Sequence, residues 1–195
     1  MTTTTQPDAE PRKRVPAAER RDALIEAAVH EFAHDGLHGT PVARIAQRVG
    51  VAQPYVFTLF PTKRDLFLAA VERGFEVIKQ TFTKAAAEFD PGNALPDMDL
   101  RHALGHAYVE LLHADRDYLM LQHQSYAACD DPVIRDRVRH LFAQLVAHVE
   151  GLWEEATPDQ IDDFFRYGMW LNVAAAMEVE DLSAGCEWMK AEAGV

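Results

Sequence analysis

The sequence predicts an all-α protein, and three of its features lead to that prediction. Apolar residues recur at three- and four-residue steps, the spacing of one helix face, and no segment alternates apolar and polar residues as a half-buried strand does. Residues that cap helices precede several of these periodic segments. Ten glycines and ten prolines in 195 residues leave room for long helices. With 48% hydrophobic residues, the chain can form one medium domain or two small ones.

The first helix is predicted from Ala17 to Asp35. Its apolar positions recur every four residues, at Leu24, Ala28 and Phe32. Gly36 follows directly and takes the position of a helix C-cap glycine. Residues 1–16 are rich in threonine, proline and charge, so we expect them to form a disordered arm.

The second helix is short. Thr40 and Pro41 have the residue types of an N-cap and a first helical position. The helix is expected to end near Val49, because Gly50 follows. Its inward positions are Val42, Ile45, Ala46 and Val49.

The third and fourth helices complete the N-terminal part. The third is predicted from about Gln53 to Leu59, with a proline in its first turn, where proline is tolerated. Thr62 and Asp65 have the spacing of a capping box, which opens a fourth helix that runs to about Glu88.

The remaining chain is predicted to contain one clear loop and further helices. Residues 90–99 form the loop, because proline, glycine, asparagine and aspartate are concentrated there. Asp131 and Thr157 each precede a proline and are expected to be N-caps. The predicted helices span about 99–115, 117–128, 132–156, 158–178 and 181–192.

The charge is distributed unevenly. The net charge of −12 argues against a polyanionic partner for the chain as a whole. However, residues 36–64 contain four basic and no acidic residues, whereas residues 76–195 contain nine basic and 22 acidic residues. An acid-free window on an acidic chain is what contact with a polyanion requires, although chance is the alternative explanation.

Three short helices with a glycine between the second and third form a helix-turn-helix unit. In this unit the third helix enters the DNA major groove and the second braces it against the backbone. On this pattern Gln53, Tyr55 and Thr58 lie outward, and Val56 and Phe60 pack inward. Three-helix units also occur in purely structural bundles, so spacing alone leaves both interpretations open.

Specific motifs follow one another between Ile25 and Leu66. They are AA-x3-F with Gly36 behind it, Thr40 before the second helix, IA-x3-GV, and an aromatic-x-x-Phe-Pro-x-Lys-x-x-Leu run that ends at Leu66. This segment resembles the DNA-binding domain of tetracycline-repressor-like (TetR) transcription regulators. The resemblance implies a helix-turn-helix DNA-binding domain over residues 17–62 and a helical ligand-binding and dimerisation domain over residues 63–195.

The resemblance also implies roles for single residues. Thr40 and Lys63 occupy the positions of phosphate contacts at the starts of the second and fourth helices. Phe57 stands where a phosphate-binding tyrosine is usual, so an apolar contact replaces a hydrogen bond. Tyr55 is bulkier than the usual residue and could pack on the first helix instead of touching DNA. The candidate DNA-binding residues are Thr40, Arg44, Gln53, Pro54, Tyr55, Phe57, Thr58 and Lys63.

For the C-terminal half, the resemblance implies effector binding and homodimerisation. Aromatic and amphipathic residues suit a small-molecule pocket, and the candidates are Tyr108, His123, Tyr126, Phe142, Tyr167 and Trp170. Apolar and small residues at helical spacing suit a four-helix dimer interface, and the candidates are Leu145, Val149, Leu152, Phe165, Gly168, Asn172 and Ala175. Either set could instead form the core of the domain.

Histidines at helical spacing raise the question of a metal site. Positions i, i+4 and i+8 of one helix are His102, His106 and Glu110, with His113 near the same face. This spacing can ligate zinc. His30 and His34 show the same spacing elsewhere, which favours ordinary composition, so we expect no metal and no cofactor. Cys129 is a candidate redox sensor, although no residue nearby in the sequence lowers its pKa.

Together these features favour a homodimeric transcription regulator, expected to be a repressor that a small molecule releases from a near-palindromic duplex operator. An activator of the same family is one alternative. A dimeric helical scaffold and an enzyme are alternatives of other classes, but no nucleophile–base motif points to catalysis, so we expect no enzymatic activity. No apolar run approaches the roughly 20 residues of a membrane span and no signal sequence is evident, which predicts a cytoplasmic protein without a membrane partner.

The fourth helix is expected to transmit the effector signal. It begins at Thr62 and Lys63, beside the DNA, and continues into the acidic half. We therefore expect it to be the one element that reaches both sites. A ligand that tilts it would change the distance between the two recognition helices of a dimer.

Overall fold

A computed structural model describes residues 16–92 and 98–178 of the chain. These residues form eight α-helices and no strand, which confirms the all-α prediction for the described part of the chain. The helices are α1 Ala17–Gly39, α2 Val42–Val49, α3 Gln53–Leu59, α4 Lys63–Glu88, α5 Leu100–Ala114, α6 Arg116–Ala127, α7 Pro132–Leu152 and α8 Pro158–Ala176.

Gly36 interrupts α1 rather than ending it. Its backbone has φ 66° and ψ −177°, and helical geometry resumes for one short turn up to Gly39. Glycine adopts this conformation readily because it has no Cβ. The predicted break at Gly36 is confirmed, while the helix runs four residues beyond Asp35.

The prediction that Thr40 caps α2 is wrong. Pro41 is the N-cap residue, and no side chain caps the helix. The Thr40 hydroxyl turns back to α1 and donates to the carbonyls of Glu31, at 3.1 Å, and Gly36, at 2.7 Å. The Gly36 carbonyl lies at the break in α1, where intrahelical partners run out. At the other end of α2, Gly50 has φ 72° and closes the helix as predicted.

The caps of α4, α7 and α8 confirm the sequence predictions. The Thr62 hydroxyl accepts from the Asp65 backbone N–H, and the Asp65 carboxylate accepts from the Thr62 N–H. Asp131 accepts from the first N–H groups of α7, and Thr157 forms a second capping box with Gln160. Such caps satisfy N–H groups that the helix itself leaves unpaired.

The C-terminal helices agree with the predicted positions except at their ends. The helix expected to reach about residue 156 ends at Leu152, because Trp153 adopts φ −120° and ψ 65° and the chain turns towards the Thr157 cap. The next helix ends at Ala176 rather than near Glu178. The helix predicted at 181–192 and residues 1–15 of the predicted arm lie outside the described residues.

The two halves of the chain share a continuous core. Phe32 of α1 and Phe67 of α4 are fully buried, with their rings edge to face at 5.1 Å. In addition to α4, α6 packs along α1. No helix in residues 16–92 and 98–178 is both long and apolar enough to cross a bilayer.

Candidate DNA-binding surface and effector cavity

Helix α3 has one buried and one exposed face. Val56 and the following Phe60 are almost fully buried, as the sequence predicts. Gln53, Pro54 and Thr58 are exposed, and 40% of the Phe57 surface remains accessible despite its apolar ring. The chain therefore holds α3 by its inner face and leaves a mixed polar and apolar face to solvent.

Tyr55 takes the alternative position that the sequence analysis left open. It is half-buried and packs against the core. The guanidinium carbon of Arg20, on α1, lies 5.8 Å from its ring centroid. The neighbouring Arg21 lies 4.8 Å from the ring of Phe60, which follows α3. Cations stack on aromatic faces at such distances, so two arginines of α1 flank α3 and the residue that follows it.

Thr40 and Lys63 are in contact rather than separate. The Thr40 side chain is 1% exposed, and its hydroxyl is bonded to α1, so a phosphate contact through this side chain does not fit the structure. Lys63 Nζ donates to the carbonyl of His38, at 3.3 Å, and to that of Thr40, at 3.1 Å. It joins the start of α4 to the α1–α2 turn.

Arg44 and Arg48 are paired with an acid that precedes the acid-free window. Glu31 is buried and lies 2.5 Å from Arg44 Nε and 2.9 Å from Arg48. Arg44 also bonds to Asp35. Sequence separation hides these pairs, because the acids belong to α1 and the bases to α2.

The positive charge of the acid-free window, residues 36–64, is therefore largely neutralised by carboxylates from other parts of the chain. Of its four bases, Arg64 pairs with Asp131 at 3.1 Å, and both arginines of α2 pair with acids of α1. Lys63 is the one base of the window without a carboxylate partner among the described residues. Arg20 and Arg21, which sequence reasoning did not single out, add positive charge beside α3.

An apolar cavity lies among the C-terminal helices. Its volume is about 30 Å³, which holds one or two water molecules. Three of the candidate effector residues line it: Tyr108, Phe142 and Tyr167. The other lining residues are Ile78, Phe82, Gly105, Gln122, Leu145, Phe164, Phe165, Gly168, Met169 and Leu171.

The other three candidate effector residues do not line this cavity. Trp170 is exposed on the outer face of α8. His123 lies 3.3 Å from the backbone carbonyl of Asn172. Tyr126 reaches the cavity indirectly, since its hydroxyl accepts from Gln122 at 2.8 Å. Helical periodicity could not distinguish these positions, because it identifies an apolar helix without giving the direction in which each face points.

A buried polar network closes one side of the cavity. Asn172 Nδ2 donates to the Tyr108 hydroxyl at 2.9 Å, and this hydroxyl donates to Gln122 Oε1 at 3.1 Å. Burial raises the pKa values of Tyr108 and Tyr126 above the ordinary value of a tyrosine, because it disfavours the charged phenolate. Asn172 Oδ1 is buried without a hydrogen-bond partner among the described residues.

Comparison with known proteins agrees with this architecture. Residues 24–70 match the family model of bacterial regulatory proteins of the tetR family. A TetR family member from Streptomyces coelicolor superposes with a TM-score of 0.66 at 22% identity, over 82% of this chain and 88% of that one. The chain is TetR-like. The family model covers only the N-terminal segment, whereas the similarity in fold covers most of the chain.

Two further proteins resemble this TetR-like chain, one in sequence and one in structure. The HTH-type transcriptional activator FasR of Mycolicibacterium smegmatis is 38% identical over 60 residues, which are 31% of this chain and 27% of FasR. The transcriptional regulator FadR from Bacillus subtilis, solved in complex with stearoyl-CoA, superposes with a TM-score of 0.62 at 15% identity, over 82% of this chain and 87% of that one. The chain spans less than half the length of the curated relatives it matches.

Of the seven proposed dimer residues of this TetR-like chain, three are buried in its own core and four are half-buried. Leu145, Val149 and Asn172 are buried within a single chain and cannot reach a second copy. Phe165 packs on Phe142, and Gly168 lines the cavity. Leu152 and Ala175 are half-buried. The large apolar side chains that α8 exposes, or that directly follow it, are Trp170, Val173 and Met177.

The histidine and cysteine candidates have different surroundings in the structure. His102 and His106 are exposed and pair with Asp99 and Glu110, so they do not converge on one point. Within the described residues, the histidine–carboxylate group that does converge is His30, His34 and Asp117. Burial raises the pKa of the Cys129 thiol, which opposes the thiolate state that a redox sensor needs.

Two glycines that face the cavity provide a test of its geometry. A Cβ added at Gly105 or Gly168 would have no other atom of the described residues within 4 Å. Alanine at either helical position is expected to raise the free energy of unfolding by about 0.5–1 kcal/mol, measured by urea denaturation, because alanine loses less backbone entropy. Gly151→Ala, equally open but away from the cavity, is the control and should give a similar gain. A loss of stability at Gly105 or Gly168 alone would contradict the open space described.

Proposed function

We propose that the chain is a cytoplasmic, ligand-responsive transcriptional regulator that binds a near-palindromic duplex operator as a homodimer. The observation that carries the proposal is the exposed face of α3 in a helix-turn-helix unit held by buried residues. A recognition helix needs this arrangement, since its inner face must be fixed while its outer side chains enter the major groove.

The exposed side chains of α3 offer distinct types of base contact. Gln53 can bond to adenine N6 and N7 in the major groove. Pro54 and Phe57 present apolar surface, which suits the thymine methyl group. The Thr58 hydroxyl already donates to the Tyr55 carbonyl at 2.6 Å, so its oxygen is left to accept from a base. The face therefore favours an A·T-containing half-site.

The effector is proposed to be a largely apolar small molecule. The lining of the cavity supports this class, since its aromatic and aliphatic side chains far outnumber its polar ones. The stearoyl-CoA bound to the Bacillus FadR, a protein of like fold, contains a long apolar acyl chain beside its charged CoA part. A cavity of about 30 Å³ must widen to admit such a molecule, so binding is coupled to helix movement.

This movement can reach the DNA-binding half by two routes. As expected, α4 extends from the capped start beside α3 to Ile78 and Phe82 at the cavity. The expectation that α4 is the one connecting element is corrected, because α6 carries Gln122 at the cavity and also packs along α1. If the effector favours the DNA-free arrangement, DNA must weaken effector binding by the same factor. We propose repression as the outcome, while the activator FasR supports activation as the second candidate.

Substitutions at Lys63 and Gln53 test the proposal. Lys63→Ala removes the cation at the start of α4, so it should weaken binding to all duplexes alike and reduce the slope of log K against log salt by about one. Gln53→Ala should instead cost about 1–3 kcal/mol at one base pair and relax the preference there. Fluorescence anisotropy with selected and mismatched duplexes across a salt series measures both effects.

Lys84→Ala is the matched control for charge, because Lys84 lies near the far end of α4 and pairs with Glu88. It should leave both affinity and salt slope unchanged. An equal loss from Lys84→Ala, or no duplex affinity in the unsubstituted protein, would overturn the proposed function.

A further inference from the structure

His30, His34 and Asp117 bring two imidazoles and a carboxylate together where α1 meets α6. His30 Nδ1 lies 2.5 Å from Asp117 Oδ2, and His34 Nδ1 lies 3.8 Å from Asp117 Oδ1. The two imidazole rings are 4.5 Å apart, centroid to centroid. One ligand atom from each of the three residues lies within 4.8 Å of the other two.

These side chains match the donors that a zinc-type cation prefers. Nitrogen from histidine and oxygen from aspartate bind Zn²⁺ at about 2.0–2.2 Å, which places ligand atoms about 3.3 Å apart around a tetrahedral ion. The two separations from Asp117 bracket this value. His34 Nδ1 also lies 2.9 Å from the His30 backbone carbonyl, so the His34 ring must rotate, or bind the ion through Nε2, to form the site. The side chains of His30, His34 and Asp117 are 38%, 59% and 28% exposed, which leaves an open position for water and a path for the ion.

The local sequence is His30-Glu31-Phe32-Ala33-His34, which has the H-E-x-x-H spacing that places two histidines on one helix face. In zinc peptidases with this spacing the glutamate is a general base. Here Glu31 is buried and held by Arg44 and Arg48, so it is not free for that role. The arrangement therefore suits ion binding rather than hydrolysis.

We propose that His30, His34 and Asp117 form a divalent-cation site for an ion of the Zn²⁺ type. The ion joins the first helix of the DNA-binding half to α6, which also reaches the effector cavity through Gln122. The bound ion thus stabilises the contact between α1 and α6. This effect does not depend on whether the chain binds DNA.

Titration of the tag-free, chelator-treated full chain with Co²⁺ tests the site, with the visible absorption of tetrahedral Co²⁺ as the readout. We expect saturable binding of one ion per chain, displacement by Zn²⁺ and a rise in Tm. His34→Gln should weaken binding by at least about tenfold, since even an outer-shell partner is worth about 10–100-fold in affinity. Asp117→Asn, which removes the charged ligand from α6, should do the same.

His106→Gln is the matched control, because His106 is an exposed helical histidine beside a carboxylate, Glu110, but has no third ligand among the described residues. It should leave the Co²⁺ affinity and spectrum unchanged. The proposal is overturned if the unsubstituted chain shows no saturable Co²⁺ binding. It is also overturned if His34→Gln and Asp117→Asn bind as well as the unsubstituted chain, or if His106→Gln loses as much affinity as they do.

Discussion

Gly36→Ala is expected to lower the free energy of unfolding by about 3 kcal/mol. At φ 66° and ψ −177°, Gly36 occupies a region that is essentially restricted to glycine, where strain costs about 1–3 kcal/mol. A Cβ at this position would also lie 2.5 Å from Gln124 Oε1, so the α6 side chain must move. Urea denaturation followed by circular dichroism measures the loss.

Two further variants distinguish the backbone strain at Gly36 from the steric contact with Gln124. Gly50 has a left-handed φ of 72°, but a Cβ added there would have no other atom of the described residues within 4 Å, so Gly50→Ala should cost about 1–2 kcal/mol. Adding Gln124→Ala to Gly36→Ala should recover the steric part of the loss and leave the backbone part. If Gly36→Ala costs no more than Gly50→Ala, the additional strain assigned to the Gly36 backbone and to its contact with Gln124 is absent in solution.

Tyr108→Phe is expected to destabilise the chain by about 2–3 kcal/mol. The phenol accepts from Asn172 and donates to Gln122, and both bonds are buried. Phenylalanine keeps the ring but leaves the Asn172 N–H and the Gln122 amide oxygen unpaired. Each unpaired group costs about 1–3 kcal/mol, and rearrangement of the neighbouring side chains reduces the total. Thermal and urea unfolding of the two proteins give the difference.

Tyr118→Phe is the matched control. Its hydroxyl donates to the exposed Glu26 at 3.1 Å, and water can replace that bond. We expect a loss below about 1 kcal/mol for this variant. Equal losses at Tyr108 and Tyr118 would show that the network beside the cavity is open to solvent.

Helix positions were largely predictable because their signals are local. The α3 bounds agree with the prediction, and the caps at Thr62, Asp131 and Thr157 act on their own first turns. Thr40 shows where this reasoning fails. A threonine before a helix has the residue type of a cap, but its hydroxyl here bonds to carbonyls of the preceding helix, and sequence spacing gives no sign of that choice.

The functional surfaces were less predictable, because they depend on contacts between distant residues. Glu31 neutralises two arginines that lie 13 and 17 positions later, which no charge count along the chain reveals. On α8, periodicity identifies an apolar helix but not its orientation, so it places buried Asn172 among the candidates for a dimer interface and exposed Trp170 among the candidates for the pocket. Convergence of His30, His34 and Asp117 likewise requires the packing of α6 on α1.

Selection of duplexes from random DNA by the full-length protein tests the central claim most directly. If the chain binds DNA as a symmetric dimer, the enriched sequences should contain an inverted repeat, with half-sites about one helical turn or a multiple of it apart. The binding should weaken steeply as salt rises, because phosphate contacts release counterions. Enrichment of a single asymmetric site by a monomer, or no enrichment at all, would contradict the account.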